Sequence, residues 1–184
     1  AKLVSRGGDP ESTEPMIVEA KFREALALDG RNYHASFGLA QFLRFMDPEN
    51  TRDEVIRLLE TTLAVAPRHA DAREELGAAQ LAAGRWADAE RSLARALEIR
   101  SSGRTLYNLG LAVLYQGRGG EARKHLESAL GFLGEDGLDE GNVRGYLVFT
   151  YLVEGNVEGA RSLYARDRGR IAEGLKAAIE SRLQ

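Results

Sequence analysis

The side chains that could do chemistry are few, and their spacing does not suit it. The 184-residue chain has no cysteine, which removes disulfides, thiolate metal sites and cysteine nucleophiles. Its three histidines, His34, His69 and His125, stand far apart. None has the short His spacing that aims two ring nitrogens at one metal ion. Each therefore reads as a solvated or packed imidazole. The glycines of GRGGEAR, Gly117 to Arg123, superficially resemble a phosphate loop. The Lys-Ser/Thr ending that would meet the phosphates is missing, and no strand precedes them. Glu74-Glu75 and Glu135-Asp136 read as charge on a helix surface or loop. No catalytic residue, no cofactor-binding residue and no metal ligand is assigned, and the chain is read as a non-enzyme without a cofactor.

The elements that position the remaining residues must then carry the function. The composition, 43% hydrophobic and 29% charged, is that of a globular chain. The net charge is −3, from 25 basic and 28 acidic residues, with no long block of one sign. This balance argues against nucleic acid as a partner. No apolar run approaches the ~20 residues that span a bilayer, so no membrane insertion is expected. No secretory signal is seen, and a cytoplasmic location is expected. The first residue is Ala1 rather than Met, as in a processed protein or an excised fragment.

Repeats organise the chain. Leu76-Gly77 recurs as Leu109-Gly110, and in weaker form as Leu39-Ala40 and Leu147-Val148. A second landmark follows in step: Val55 with Leu59, Ala89 with Leu93, Ala122 with Leu126, Ala160 with Tyr164. Recurrence at about 34 residues signals an array of helix pairs. In these residues the sequence resembles the tetratricopeptide repeat family. The third repeat carries Leu106, Leu109, Gly110, Val113, Ala122, Leu126 and Ala129; the second carries Leu76, Gly77, Ala89, Leu93 and Ala96; Pro67 closes the first. The resemblance spans about Tyr33 to Asp167 and implies an all-α fold. That fold would be an α-solenoid of antiparallel helix pairs, a right-handed superhelix, with a C-terminal capping helix.

The boundaries follow from turn chemistry. Residues 1–12 read as a polar leader or linker and 13–183 as a single domain. Within it lie a half repeat at 13–30, repeats at 33–67, 70–101, 103–132 and 141–167, and a capping helix at 170–183. Gly84, Gly117 and Gly155 fall where the first helix (A) of a pair ends and a left-handed residue is wanted. In the first repeat Asp47-Pro48 breaks the helix instead, and Thr51 to Glu54 read as a capping box opening the second helix (B). The Gly- and acid-rich GFLGEDGLDEGN reads as a loop inside one array. Val18, Phe22, Ala25 and Leu26 are helix B landmarks without a preceding helix A. At the other end Ile171, Leu175, Ile179 and Leu183 form one apolar stripe, suited to cover the last repeat or to dock a partner. Glycine costs a helix roughly 1 kcal/mol relative to alanine, so Gly110 implies a close helix approach that offsets the cost.

Function is then read from surface shape. The family resemblance implies that a peptide or a helix of a partner protein docks on the face lined by the A helices. Repeat phase places Phe37, Gln41 and Arg44, with His34, there from the first repeat, and Glu74, with Asp71, Glu75 and Ala78, from the second. The third contributes Arg104, Tyr107, Asn108 and Leu111, and the fourth Tyr146 and Phe149, with Asn142 and Gly145. Arg104 would meet a carboxylate of the ligand, Asn108 its backbone, and the acidic second repeat its basic residues. The alternative reading is a structural or self-associating scaffold segment of a larger multidomain protein, compatible with a homo-oligomer.

Overall fold

The computed structural model describes residues 13–134 and 138–184. The sequence-predicted leader at 1–12 and the Glu135-Asp136 pair lie outside the described residues. These contain ten α-helices and no strand: α1 (Thr13–Leu28), α2 (Tyr33–Met46), α3 (Arg52–Val65), α4 (Ala70–Ala82), α5 (Trp86–Leu97), α6 (Gly103–Tyr115), α7 (Gly119–Ala129), α8 (Glu140–Val153), α9 (Val157–Asp167) and α10 (Glu173–Leu183). They fall into two compact units, one running to Pro67 and one beginning at Arg68.

In the first unit, α2 and α3 bury Leu39, Leu43, Val55, Ile56 and Leu59. Gly38 admits the ring of Phe22 from α1; a Cβ there would stand 2.5 Å from Phe22 Cε1. Arg23 of α1 donates to Glu19 and to Glu54 of α3, each at 2.7 Å. The expected capping box at Thr51 does not form. The chain leaves α2 through the tight Asp47-Pro48 turn, and this turns the Thr51 hydroxyl backward. It donates to the Asp47 carbonyl at 2.5 Å and the Leu43 carbonyl at 3.2 Å. Thr51 thus closes the end of α2, and the carboxylate of Glu54 goes to Arg23.

In the second unit, three helix pairs, α4/α5, α6/α7 and α8/α9, repeat one design. Gly84, Gly117 and Gly155 have φ of 72°, 81° and 71°, the region where glycine alone pays no Cβ penalty. Each closes its helix with the same two bonds. Around Gly117, its own N–H reaches the Leu114 carbonyl at 2.9 Å and the Arg118 N–H reaches Val113 at 3.3 Å. Equivalent bonds run from Gly84 and Arg85, and from Gly155 and Asn156. This is the double closure that satisfies otherwise orphaned carbonyls. Starts are capped by side chains: His69 Nδ1 accepts from Ala72 N–H at 3.2 Å, Ser102 Oγ from Thr105 at 3.3 Å, Asp139 from Asn142 at 2.7 Å and Asn156 from Gly159 at 2.9 Å.

The Leu-Gly landmarks mark close packing within a pair. A Cβ on Gly77 would strike Leu93, and one on Gly110 would stand 2.8 Å from Leu126 Cγ. Leu93, Leu126, Ala89, Ala122 and Ala160 are wholly buried. Each large aliphatic side chain so buried contributes roughly 1.5–3 kcal/mol. The glycines of GRGGEAR serve packing too. Gly117 closes α6, and a Cβ on Gly119 would collide with the Thr150 carbonyl of α8. The last helix, α10, seats Leu175 against Gly145 of α8 and buries Ile179. Its Glu180 accepts from the Tyr164 hydroxyl of α9 at 2.5 Å.

Candidate partner-binding face

On the first unit, α2 carries Phe37 half-buried and Gln41 and Arg44 exposed. The rest of the predicted face belongs to the second unit, where α4, α6 and α8 present it.

The acidic stretch of α4 is largely answered within the fold. Glu74 is buried, at 3% exposure. One of its oxygens accepts from Arg104 Nε and the other from the Thr105 hydroxyl at 2.5 Å. Asp71 accepts from Arg100 at 2.5 Å, and the same guanidinium stands 4.0 Å from Glu74. Glu75 is buried as well. This corrects the expectation that Asp71, Glu74 and Glu75 offer three carboxylates to a basic ligand while Arg104 waits for an acidic one. Asp71 and Glu74 pair with Arg100 and Arg104, because a carboxylate removed from water, as that of Glu74 is, must find a cation and hydrogen-bond donors.

The aromatic part of the prediction comes together, with a change of role. Tyr107 of α6 meets Tyr146 of α8 edge-on, with ring centroids 5.9 Å apart. Tyr146 meets Phe149 at the same separation. Tyr107, Asn108 and Tyr146 are half-buried and reach the surface, whereas Leu111 and Phe149 are 7% and 8% exposed. These two are therefore walls and not open floor. Gly145, also predicted on the face, lies under Leu175. Burial pushes the Tyr146 phenol up to about 12, helped by a hydrogen bond shared with Tyr115. Burial likewise raises Tyr107, with Tyr146, Tyr115 and Asp139 adding to it. Both phenols stay protonated near neutrality and offer O–H donors. The Asn108 amide makes no hydrogen bond among the described residues, one helical turn beyond Arg104 on the same side of α6.

Sequence reasoning missed what α10 does to this face. A cavity of about 300 Å³ opens between α6, α8 and α10, walled by Tyr115, Tyr146, Phe149, Val153, Leu175 and Arg182. The Arg182 guanidinium lies over the Phe149 ring, 5.3 Å from its centroid, a cation–π distance. Tyr115 stacks on Trp86 of α5 at 5.7 Å; both are exposed by more than 40%. The stripe Ile171–Leu183 was legible as cover. Gly145 was the available signal that the cover lies against α8, since a small residue there admits Leu175.

His69 caps α4, His34 is exposed on α2, and burial lowers the pKa of His125 against the opposing pull of Glu121 and Glu90. Among the described residues no group of three or more His, Asp or Glu could hold a metal ion. No helix among them is long and apolar enough to cross a membrane.

Repeated helix pairs closed alike and packed by small residues define the class: a helical-repeat array. Residues 49–110 match the tetratricopeptide repeat family. A comparison with curated protein sequences finds no match. Among solved structures, a crystal structure of MamA superposes with a TM-score of 0.74 at 16% identity, over 91% of this chain and 96% of that one. MamA residues 41-end from Desulfovibrio magneticus RS-1 give 0.71 at 15% identity, over 83% and 82%. YrrB, described as a tetratricopeptide-repeat protein with an unusual peptide-binding site, gives 0.62 at 18% identity, over 78% and 71%. At these identities the likeness is one of fold.

Proposed function

We propose that the chain is a non-catalytic protein-interaction module, which holds a peptide segment of a partner against the α6 and α8 side of its second unit. The observation that carries this reading is Asn108. Its amide has no partner among the described residues, and it follows Tyr107, whose ring meets Tyr146 in a run of aromatics that offers contact area at low rotamer cost. An asparagine side chain both donates and accepts, as a peptide backbone does. The tetratricopeptide repeat fold, a general mediator of protein association, supports the reading, as does the peptide-binding site of the similar YrrB. The test is amide NMR of the labelled chain with a peptide selected from a displayed random library. Shifts centred on Tyr107, Asn108 and Tyr146 are expected; shifts confined to α5, α7 and α9 would overturn the assignment.

A second reading, self-association, is favoured by one feature of the first unit. Met16, Ile17, Leu28 and Phe45 are 74%, 52%, 84% and 85% exposed, apolar side chains that a second copy of the chain would take out of water. Sedimentation across a concentration series separates the two readings: a monomer throughout removes this one.

A further inference from the structure

The cavity beneath α10 has a composition that selects its occupant. Its volume of about 300 Å³ sits at the small end of ligand pockets, which run from ~300 to 1,000 Å³. It therefore admits one large side chain and not an extended ligand. Its walls are the rings of Tyr115, Tyr146 and Phe149 and the aliphatic Val153 and Leu175. The single charged group among its lining residues is Arg182. Every other arginine at this end of the second unit has a carboxylate: Arg144 and Arg166 share Asp167, Arg168 has Glu180 and Arg170 has Glu140. Arg161 has Glu158 at 3.9 Å. Arg182 pairs with no carboxylate among the described residues and rests on Phe149.

A bland account of Arg182 is that a cation in the last turn of a helix is favoured by the helix dipole. That term is equivalent to about half a charge, so it does not discharge a full guanidinium. The neighbouring helix ends do not do so either, because the Gly117 and Gly155 closures already satisfy carbonyls of α6 and α8.

Resting on the peptide-binding reading above, we propose that this cavity is an anchor pocket for an acidic–apolar partner segment. A large apolar side chain enters between Tyr146, Phe149 and Leu175, and an Asp or Glu beside it in the partner's sequence pairs with Arg182. The apolar side chain leaves water against three rings, and the carboxylate gains the planar donor fork that arginine presents. Trp86, the one tryptophan of the chain, stacks on Tyr115 at the rim and reports occupancy through its emission.

The test selects short random peptides against the full chain by display. The strongest is then synthesised in its native form and with its acidic residue changed to the amide. The expected consensus is a large apolar residue within two positions of Asp or Glu. Arg182→Gln and the peptide's carboxylate-to-amide change should each weaken binding about tenfold, as loss of a charged hydrogen bond does. Together they should cost little more than either alone, because they remove one interaction. Ala178→Phe, at an exposed position on the cavity wall, should block binding and abolish the Trp86 response without disturbing the fold. A consensus without the acidic–apolar pair, or two losses that multiply, overturns the anchor pocket. If such peptides still shift Tyr107 and Asn108, the binding face stands and the pocket assignment alone falls. Failure to enrich any peptide overturns both.

Discussion

Gly110 of α6 and Leu126 of α7 occupy one space: a Cβ on residue 110 would stand 2.8 Å from Leu126 Cγ and 2.9 Å from its Cδ2. Leu126 is wholly buried, so it cannot swing away. Gly110→Leu should destabilise by roughly 1–3 kcal/mol through overpacking. Leu109→Ala, which opens a cavity beside the same contact, should cost roughly 2–5 kcal/mol. Urea unfolding measures both. A Gly110→Leu chain more stable than the parent would show that the helices are not held at closest approach.

Two helical glycines should respond with opposite signs. At Gly119 a new Cβ meets the Thr150 carbonyl, which is backbone and cannot rotate aside, so Gly119→Ala must separate α7 from α8. At Gly174 in α10 nothing lies within 4 Å. Gly174→Ala should therefore stabilise by up to ~1 kcal/mol through helix propensity alone, while Gly119→Ala lowers the melting temperature. Equal effects at both sites would contradict the packing account.

Acid should loosen the end of the second unit through Asp167. Its carboxyl is held below the ordinary value of 3.8 by hydrogen bonds from Arg166, opposed by burial and reinforced by the Arg144 charge. A depressed folded pKa means that the unfolded chain binds more protons in acid. The contribution is therefore complete above about pH 4 and is lost as pH falls through the lowered value. Thermal melts between about pH 2 and 7 should show Asp167→Asn with a flatter acid limb than the parent. An unchanged limb would mean that the Arg144–Asp167–Arg166 cluster is not linked to folding.

The repeat scaffold was legible because its rules are local and recur. Gly84, Gly117 and Gly155 show the left-handed turn in sequence, and Leu76-Gly77 with Leu93 shows the close approach. Thr51 was misread because a capping box and a backward bond to the preceding helix look alike until the Asp47-Pro48 turn fixes the path. Contacts between residues distant in sequence were hidden. Nothing local pairs Glu74 with Arg104 and Thr105, about 30 positions away. Nor does anything local to Phe149 say that Arg182, on another helix, lies over its ring. Repeat phase put Tyr107, Asn108 and Tyr146 on one face, but which of the face residues α10 covers depended on how that helix leans.

The most direct test of the binding face is Asn108→Ala, with peptide affinity and thermal stability measured on the same preparation. The amide makes no internal hydrogen bond among the described residues, and alanine is the better helix former by up to ~0.7 kcal/mol. Removing Phe149 would confound the two quantities, because that ring is buried. Titration calorimetry with a display-selected peptide should show about a tenfold loss of affinity, as expected for a lost hydrogen-bonding group. The thermal transition should hold or rise. Unchanged affinity in a chain of unchanged or greater stability would contradict the claim that a partner is held against α6.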